Sequence, residues 1–185
     1  MAFNGDISNW DTSSVTTFRA AFNEAQSFNG DISAWDTSSV TDMTQMFRNS
    51  YVFNSAIGDW DTSSVGGGNT SKGFYGMFEG ASSFDQPLQN WDVSNTTNMR
   101  FMFFKATSFN QWLNSWDVSN ITEMGDVFKS AAAMNSDISN WCVSQIATTP
   151  SNFSTGASFD GDLSLLPSWG ECSAFNGIYL EDLVG

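Results

Sequence analysis

The chain has 185 residues, twenty acidic against six basic, no histidine and a net charge of −14. So acidic a surface repels nucleic acid phosphates and anionic membranes, and the lack of histidine removes the usual catalytic base. No stretch is long and apolar enough for a transmembrane helix, and no targeting signal is visible.

Along the chain, seven near-copies of one 25-residue unit follow each other, opening near residues 3, 28, 53, 84, 109, 134 and 159. A period of this length predicts a solenoid, because one unit is too small to bury its apolar residues alone. The whole chain, 1–185, therefore reads as a single solenoid domain with a C-terminal cap over about 160–185. It starts at Met1-Ala-Phe3, inside the opening motif of a unit. Solenoids need capped ends, so the chain reads as a fragment of a longer protein.

Within each unit an aliphatic column comes first: Ile7, Ile32, Ile57, Leu88, Leu113, Ile138 and Leu163. Three residues later stands a tryptophan, at 10, 35, 60, 91, 116, 141 and, loosely, 169. Two residues beyond it come Thr12, Thr37, Thr62, Val93, Val118 and Val143. Alternate buried positions are strand spacing, so a short strand is expected around each tryptophan, stacking into a parallel sheet. In the second half, Met43, Met46 and Phe47 fall at i, i+3 and i+4, one face of a helical turn, with Thr41 as N-cap and Asp42 in the first turn. The same pattern recurs at Met99, Met102 and Phe103 and at Met124, Val127 and Phe128. Six extra residues interrupt the period between Val65 and Phe84, in the glycine-rich stretch 66–72. No Gly-Lys-Ser/Thr follows, so this is an insertion loop rather than a phosphate loop.

Aspartates directly follow the tryptophan at Asp11, Asp36, Asp61, Asp92 and Asp117, with Cys142 in the sixth unit. A partial second column holds Asp6, Asp31, Asp137 and Asp162. On the strand reading these side chains face solvent, and stacked carboxylates need relief: turn hydrogen bonds, raised pKa values or a bound cation. Asx-turns are the plainest expectation. The five post-tryptophan aspartates are also the candidate ligand-binding residues and, as hard oxygen donors, the candidate calcium ligands. No other cofactor is expected. Arg19, Arg48, Arg100, Lys105 and Lys129 all fall in the second half of the unit, so the other side should carry mixed charge.

Cys142 and Cys172 lie about one turn apart, which stacking can bring within disulfide reach. A disulfide closing the last turn stands against two free thiols or a metal pair; two cysteines without histidine cannot fill a zinc site. A disulfide implies an oxidising compartment.

Trp-Asp-Val-Ser-Asn at 91–95 and 116–120, and Met-Phe at 46–47, 77–78 and 102–103, resemble the BspA-type leucine-rich-repeat surface proteins, once filed as a mycoplasma domain of unknown function. The likeness covers most of residues 3 to 172. Its departures are the insertion after Val65, Met134 in place of phenylalanine, and Pro150. It implies an α/β repeat solenoid, leucine-rich-repeat-like and right-handed, with about seven turns of one strand and one helical segment each. It also implies a secreted or surface-anchored adhesion protein, brings no catalytic residues, and supports pairing of the two cysteines.

The expected function is a non-catalytic extracellular or cell-surface module that binds protein or glycan, without nucleic acid or membrane insertion. The alternative is a structural protein assembling end to end through its open first turn. Calcium, mineral or ice binding by the Asp, Ser and Thr columns is a weaker third reading.

Overall fold

The computed structural model of the chain describes residues 3–67 and 73–172. Units stack so that each aromatic column runs through the whole array. Trp10, Trp35, Trp60 and Trp91 lie nearly parallel, with centroids 6.3, 6.5 and 6.5 Å apart. Phe22, Phe47, Phe78, Phe103 and Phe128 form a second column at 5.5 to 5.8 Å. Phe3, Phe28, Phe53, Phe84 and Phe109 form a third at 5.8 to 6.2 Å. The second and third columns face each other across the junction of successive units, as Phe47 does Phe53 at 3.7 Å. Offset stacking of this kind adds about 0.5–1.5 kcal/mol per pair beyond area burial.

The expected α/β repeat solenoid of leucine-rich-repeat type, with a strand and a helical segment in each turn, is not what forms. Among the described residues there is no α-helix and no β-strand, only three isolated bridges: Thr17 with Asp42, Asn98 with Glu123, and Cys142 with Cys172. The strand reading fails because tight turns flank the tryptophan. Trp35 N–H donates to the Ile32 carbonyl at 3.2 Å, and Val40 N–H to the Thr37 carbonyl at 2.9 Å. Too little extended backbone remains between them for a ladder.

Side chains bridge the units there instead. Each indole N–H donates to the aliphatic residue's carbonyl in the preceding unit: Trp35 to Ile7 at 3.1 Å, Trp60 to Ile32 at 3.1 Å, Trp91 to Ile57 at 3.0 Å, Trp116 to Leu88 at 2.9 Å and Trp141 to Leu113 at 3.0 Å. Thr37 and Thr62 hydroxyls donate forward, to the carbonyls of Asp61 and Asp92. At the opposite corner, Asn4, Asn29, Asn54, Asp85 and Asn110 each accept, through a side-chain oxygen, the backbone N–H one unit ahead.

The helical reading fails because every second N–H leaves its own segment. Met43, Gln45, Phe47 and Asn49 donate to the carbonyls of Gly73, Tyr75, Met77 and Glu79 in the next unit. Between them, Met46, Arg48 and Ser50 donate three residues back, to Met43, Gln45 and Phe47. An α-helix directs all its amides along its own axis. This alternation needs two left-handed residues, four apart, in each unit: Ala20 and Glu24, Gln45 and Asn49, Gly76 and Gly80, Phe101 and Lys105, Asp126 and Ser130, Asn152 and Gly156. Met43, Met46 and Phe47 are buried as their spacing suggested, on a backbone that is not helical. Asp42, expected inside a helix, accepts from Thr44 N–H at 2.8 Å and holds a turn.

One further expectation changes. Leu163 leaves the aliphatic column and is exposed, and Leu166 is buried instead. The insertion lengthens the stacking interval from 24 residues (Ala20 to Thr44) to 30 (Gln45 to Tyr75). A side chain on Gly66 would come within 2.6 Å of the Asn95 carbonyl, so its φ of +90° and its place require glycine. Most of the insertion, 68–72, and the end of the expected cap, 173–185, lie outside the described residues.

Trp91→Phe should remove one indole bond and leave a void between buried columns, lowering stability by about 2–4 kcal/mol in chemical denaturation. Trp112→Phe, at an exposed position, should stay within about 0.5 kcal/mol of the parent.

Candidate functional site

The post-tryptophan aspartates, Asp11, Asp36, Asp61, Asp92 and Asp117, are all exposed, as the sequence suggested. Each carboxylate is already engaged two residues ahead. Asp36 accepts the Ser38 N–H at 3.0 Å and its hydroxyl at 2.6 Å. Asp11, Asp61 and Asp92 repeat both bonds with Ser13, Ser63 and Ser94, and Asp117 accepts the Ser119 N–H at 3.0 Å. The column is thus a row of Asx-turns. As a calcium site it lacks convergence: among the described residues, no three acidic or cysteine side chains are grouped to hold a metal ion.

These bonds favour the ionised carboxylate. The serine hydroxyl, then the serine amide, hold Asp11, Asp36, Asp61, Asp117 and Asp162 below their ordinary value of 3.8. For Asp6 and Asp31 the amides of Ser8 and Ser33 contribute most. Repulsion from Asp36 works against Asp11 and Asp61 without reversing the direction.

The second acidic column carries the more informative feature. Asp6, Asp31, Asp137 and Asp162 sit in the same turn with the serine two residues on. In the three units between Asp31 and Asp137, Ala56-Ile57-Gly58, Pro87-Leu88-Gln89 and Trp112-Leu113-Asn114 replace the Asp-x-Ser pair. Charge gives way to an apolar strip with amides beside it. Trp112 is 67% exposed, against 5% or less for Trp35, Trp60, Trp91, Trp116 and Trp141.

Two open hollows share Trp112 and Asn114. One, of about 660 Å³, is walled by Gln89, Asn90, Ser115 and Asn140; the other, of about 490 Å³, by Asn110, Gln111, Ser136 and Asp137. Neighbouring units fix the walls. Gln111 donates to Asp85, Ser115 to the Gln89 carbonyl, and Asn140 to the Asn114 carbonyl. The side-chain oxygens of Asn114 and Asn140 are shielded from solvent and have no donor among the described residues, an uncommon state for buried amides. Sequence reasoning missed this surface. Its signal was present as the gap in the second acidic column, legible once the units are aligned.

The opposite side carries mixed charge. Arg48 lies 3.1 Å from Glu79 and 3.9 Å from Glu24, and Lys129 lies 3.1 Å from Asp126. These pairs join adjacent units or brace one of them. Cys142 and Cys172 are disulfide-bonded, tying the last described residue to the sixth tryptophan turn.

Because Asp6, Asp11, Asp31, Asp36, Asp61, Asp117 and Asp162 titrate below 3.8 when folded, their stabilisation is complete above that pH and lost as pH falls through the lower folded values. Melting temperature should therefore decline on acidification below 3.8. Asp36→Asn combined with Asp61→Asn should flatten that acid limb, as read by tryptophan fluorescence.

The chain was compared with known proteins. A family model described as "Mycoplasma protein of unknown function, DUF285" matches residues 1–76 and again 70–169. No curated protein and no solved structure matches the chain. With two successive matches that together run from residue 1 to residue 169, the chain belongs to this mycoplasma-type family of unknown function.

Proposed function

We propose that the chain is a non-catalytic binding or adhesion module of an extracellular or cell-surface protein, engaging protein or glycan through the side of its stack. The observation that carries this reading is the break in the second acidic column. Where the other units close their turns with Asp and Ser, three consecutive units present exposed Ala56, Pro87 and Trp112 beside Gln89 and Asn114. A large exposed aromatic has no role in packing the stack and suits contact with a partner. The likeness of Trp-Asp-Val-Ser-Asn and Met-Phe to the BspA-type surface proteins supports the same reading, as does a disulfide, which persists in oxidising compartments. No histidine is available for the familiar nucleophile systems.

Purified chain passed over immobilised extracellular matrix proteins and glycans should bind at least one saturably. Ala56→Asp combined with Trp112→Asp, which restores charge to the gap, should abolish that binding while leaving the melting temperature unchanged. Binding that survives both substitutions would move the function to another face.

A second reading is end-to-end assembly, favoured by the surface of the first described unit. Trp10 is 62% and Phe3 43% exposed, around an apolar hollow of about 440 Å³. Beside it the carbonyls of Arg19, Ala21 and Asn23, whose counterparts accept amides in later units, have no backbone donor among the described residues. Sedimentation velocity across a hundredfold concentration range should show growing species if this surface pairs with another copy, and one invariant species if it does not.

A further inference from the structure

We propose that the larger hollow beside Trp112 is a subsite for one ring of a neutral sugar, stacked on the indole and hydrogen-bonded by Gln89, Asn90 and Asn114. The proposal rests on the binding-module reading and gives its ligand a chemical class.

The walls select against the alternatives. Gln89, Asn90, Trp112, Asn114, Ser115 and Asn140 are all uncharged, in a chain of net charge −14. An anionic ligand would meet no cation in either hollow and would be repelled by the surrounding surface. A cationic ligand would find its counter-charges along the aspartate columns instead. A purely apolar ligand would cover amides without satisfying them, at a cost for each buried group. A pyranose avoids all three penalties. Its ring presents an apolar face of C–H groups to an indole, and its hydroxyls both donate and accept, as amides do.

The hollow also offers what a hydroxylated ligand needs. Gln89 and Asn90 are exposed, and among the described residues their side chains have no hydrogen-bond partner. Asn114 and Asn140 complete the wall, Asn140 being anchored by its bond to the Asn114 carbonyl. The site is held rigidly for a surface feature: its walls come from three successive units tied by Ser115 to Gln89 and by Asn140 to Asn114. Rigid walls lower the ordering cost of binding a small polar ligand. The second hollow, across Trp112 and ending at Asp137, would take the next ring of an oligosaccharide, with that carboxylate accepting from a hydroxyl.

The test uses the full chain and neutral trisaccharides of glucose, galactose, mannose and N-acetylglucosamine. Indole N–H signals are followed by NMR, with Trp112 assigned through Trp112→Phe. At least one sugar should shift the Trp112 signal saturably and leave the buried indoles in place. Trp112→Ala should weaken that sugar about tenfold or more, the scale for losing an aromatic anchor. Gln89→Ala combined with Asn114→Ala should weaken it too, with melting temperatures unchanged in both variants. Sugars that leave the Trp112 signal unmoved, or bind Trp112→Ala equally well, overturn the proposal. If immobilised matrix protein then still binds in a Trp112-dependent way, the site serves a polypeptide and the binding-module reading survives. If nothing binds through this face, that reading falls with it.

Discussion

The second to sixth units are each locked to their predecessor by a buried indole N–H that reaches back to a backbone carbonyl, and the remaining architecture depends on this bond. It fixes the distance between units, because the indole must span from its own turn to the aliphatic residue before it. It fixes register, because a slip of one residue would leave an N–H unpaired in a dry core, at a cost of about 1–3 kcal/mol. The phenylalanine columns then stack at one spacing because the tryptophans already do. The asparagine side chains that accept amides at the far corner hold the same interval on the other edge.

The backbone meets its own requirements in an unusual way. Alternate amides in the second half of each of the first five units cross to the next unit while those between them close tight turns. This satisfies nearly all of the donors without helix or sheet, as a dry interior demands. It requires left-handed conformation at residues such as Gln45, Phe101 and Lys105, each costing about 1 kcal/mol or more where glycine is absent. Sharing of hydrogen bonds across every interface offsets that cost cooperatively, which is the logic of a quasi-one-dimensional stack.

A regular stack presents the same groups again and again, and its aspartates are consumed by their own turns. The proposed binding reading therefore looks to departures from the repeat. The gap at Ala56, Pro87 and Trp112 is such a departure, spread over three consecutive units on one side. It lies next to the exposed, uncharged Gln89 and Asn90, which is why the proposed ligand is neutral and hydroxylated. A stack of turns can vary such positions freely, because the residues that carry packing lie on the inner side of the same segments.

By itself, the amino-acid sequence determined the unit, its length and which columns are buried: the tryptophan, phenylalanine and methionine positions read as core are core, from Trp35 through Phe128. It also made the Asx-turns legible, since Asp-x-Ser is a local signal that needs no distant partner. Only the tertiary structure decided the backbone path. Alternate burial around tryptophan is equally satisfied by a strand or by two turns flanking it, and an i, i+3, i+4 stripe by a helix or by turns with left-handed residues. The deciding bonds run to the next unit, and short-range spacing does not encode them. The Trp112 surface, too, emerges only when the units are stacked, because its walls are distant in sequence and adjacent only through the repeat.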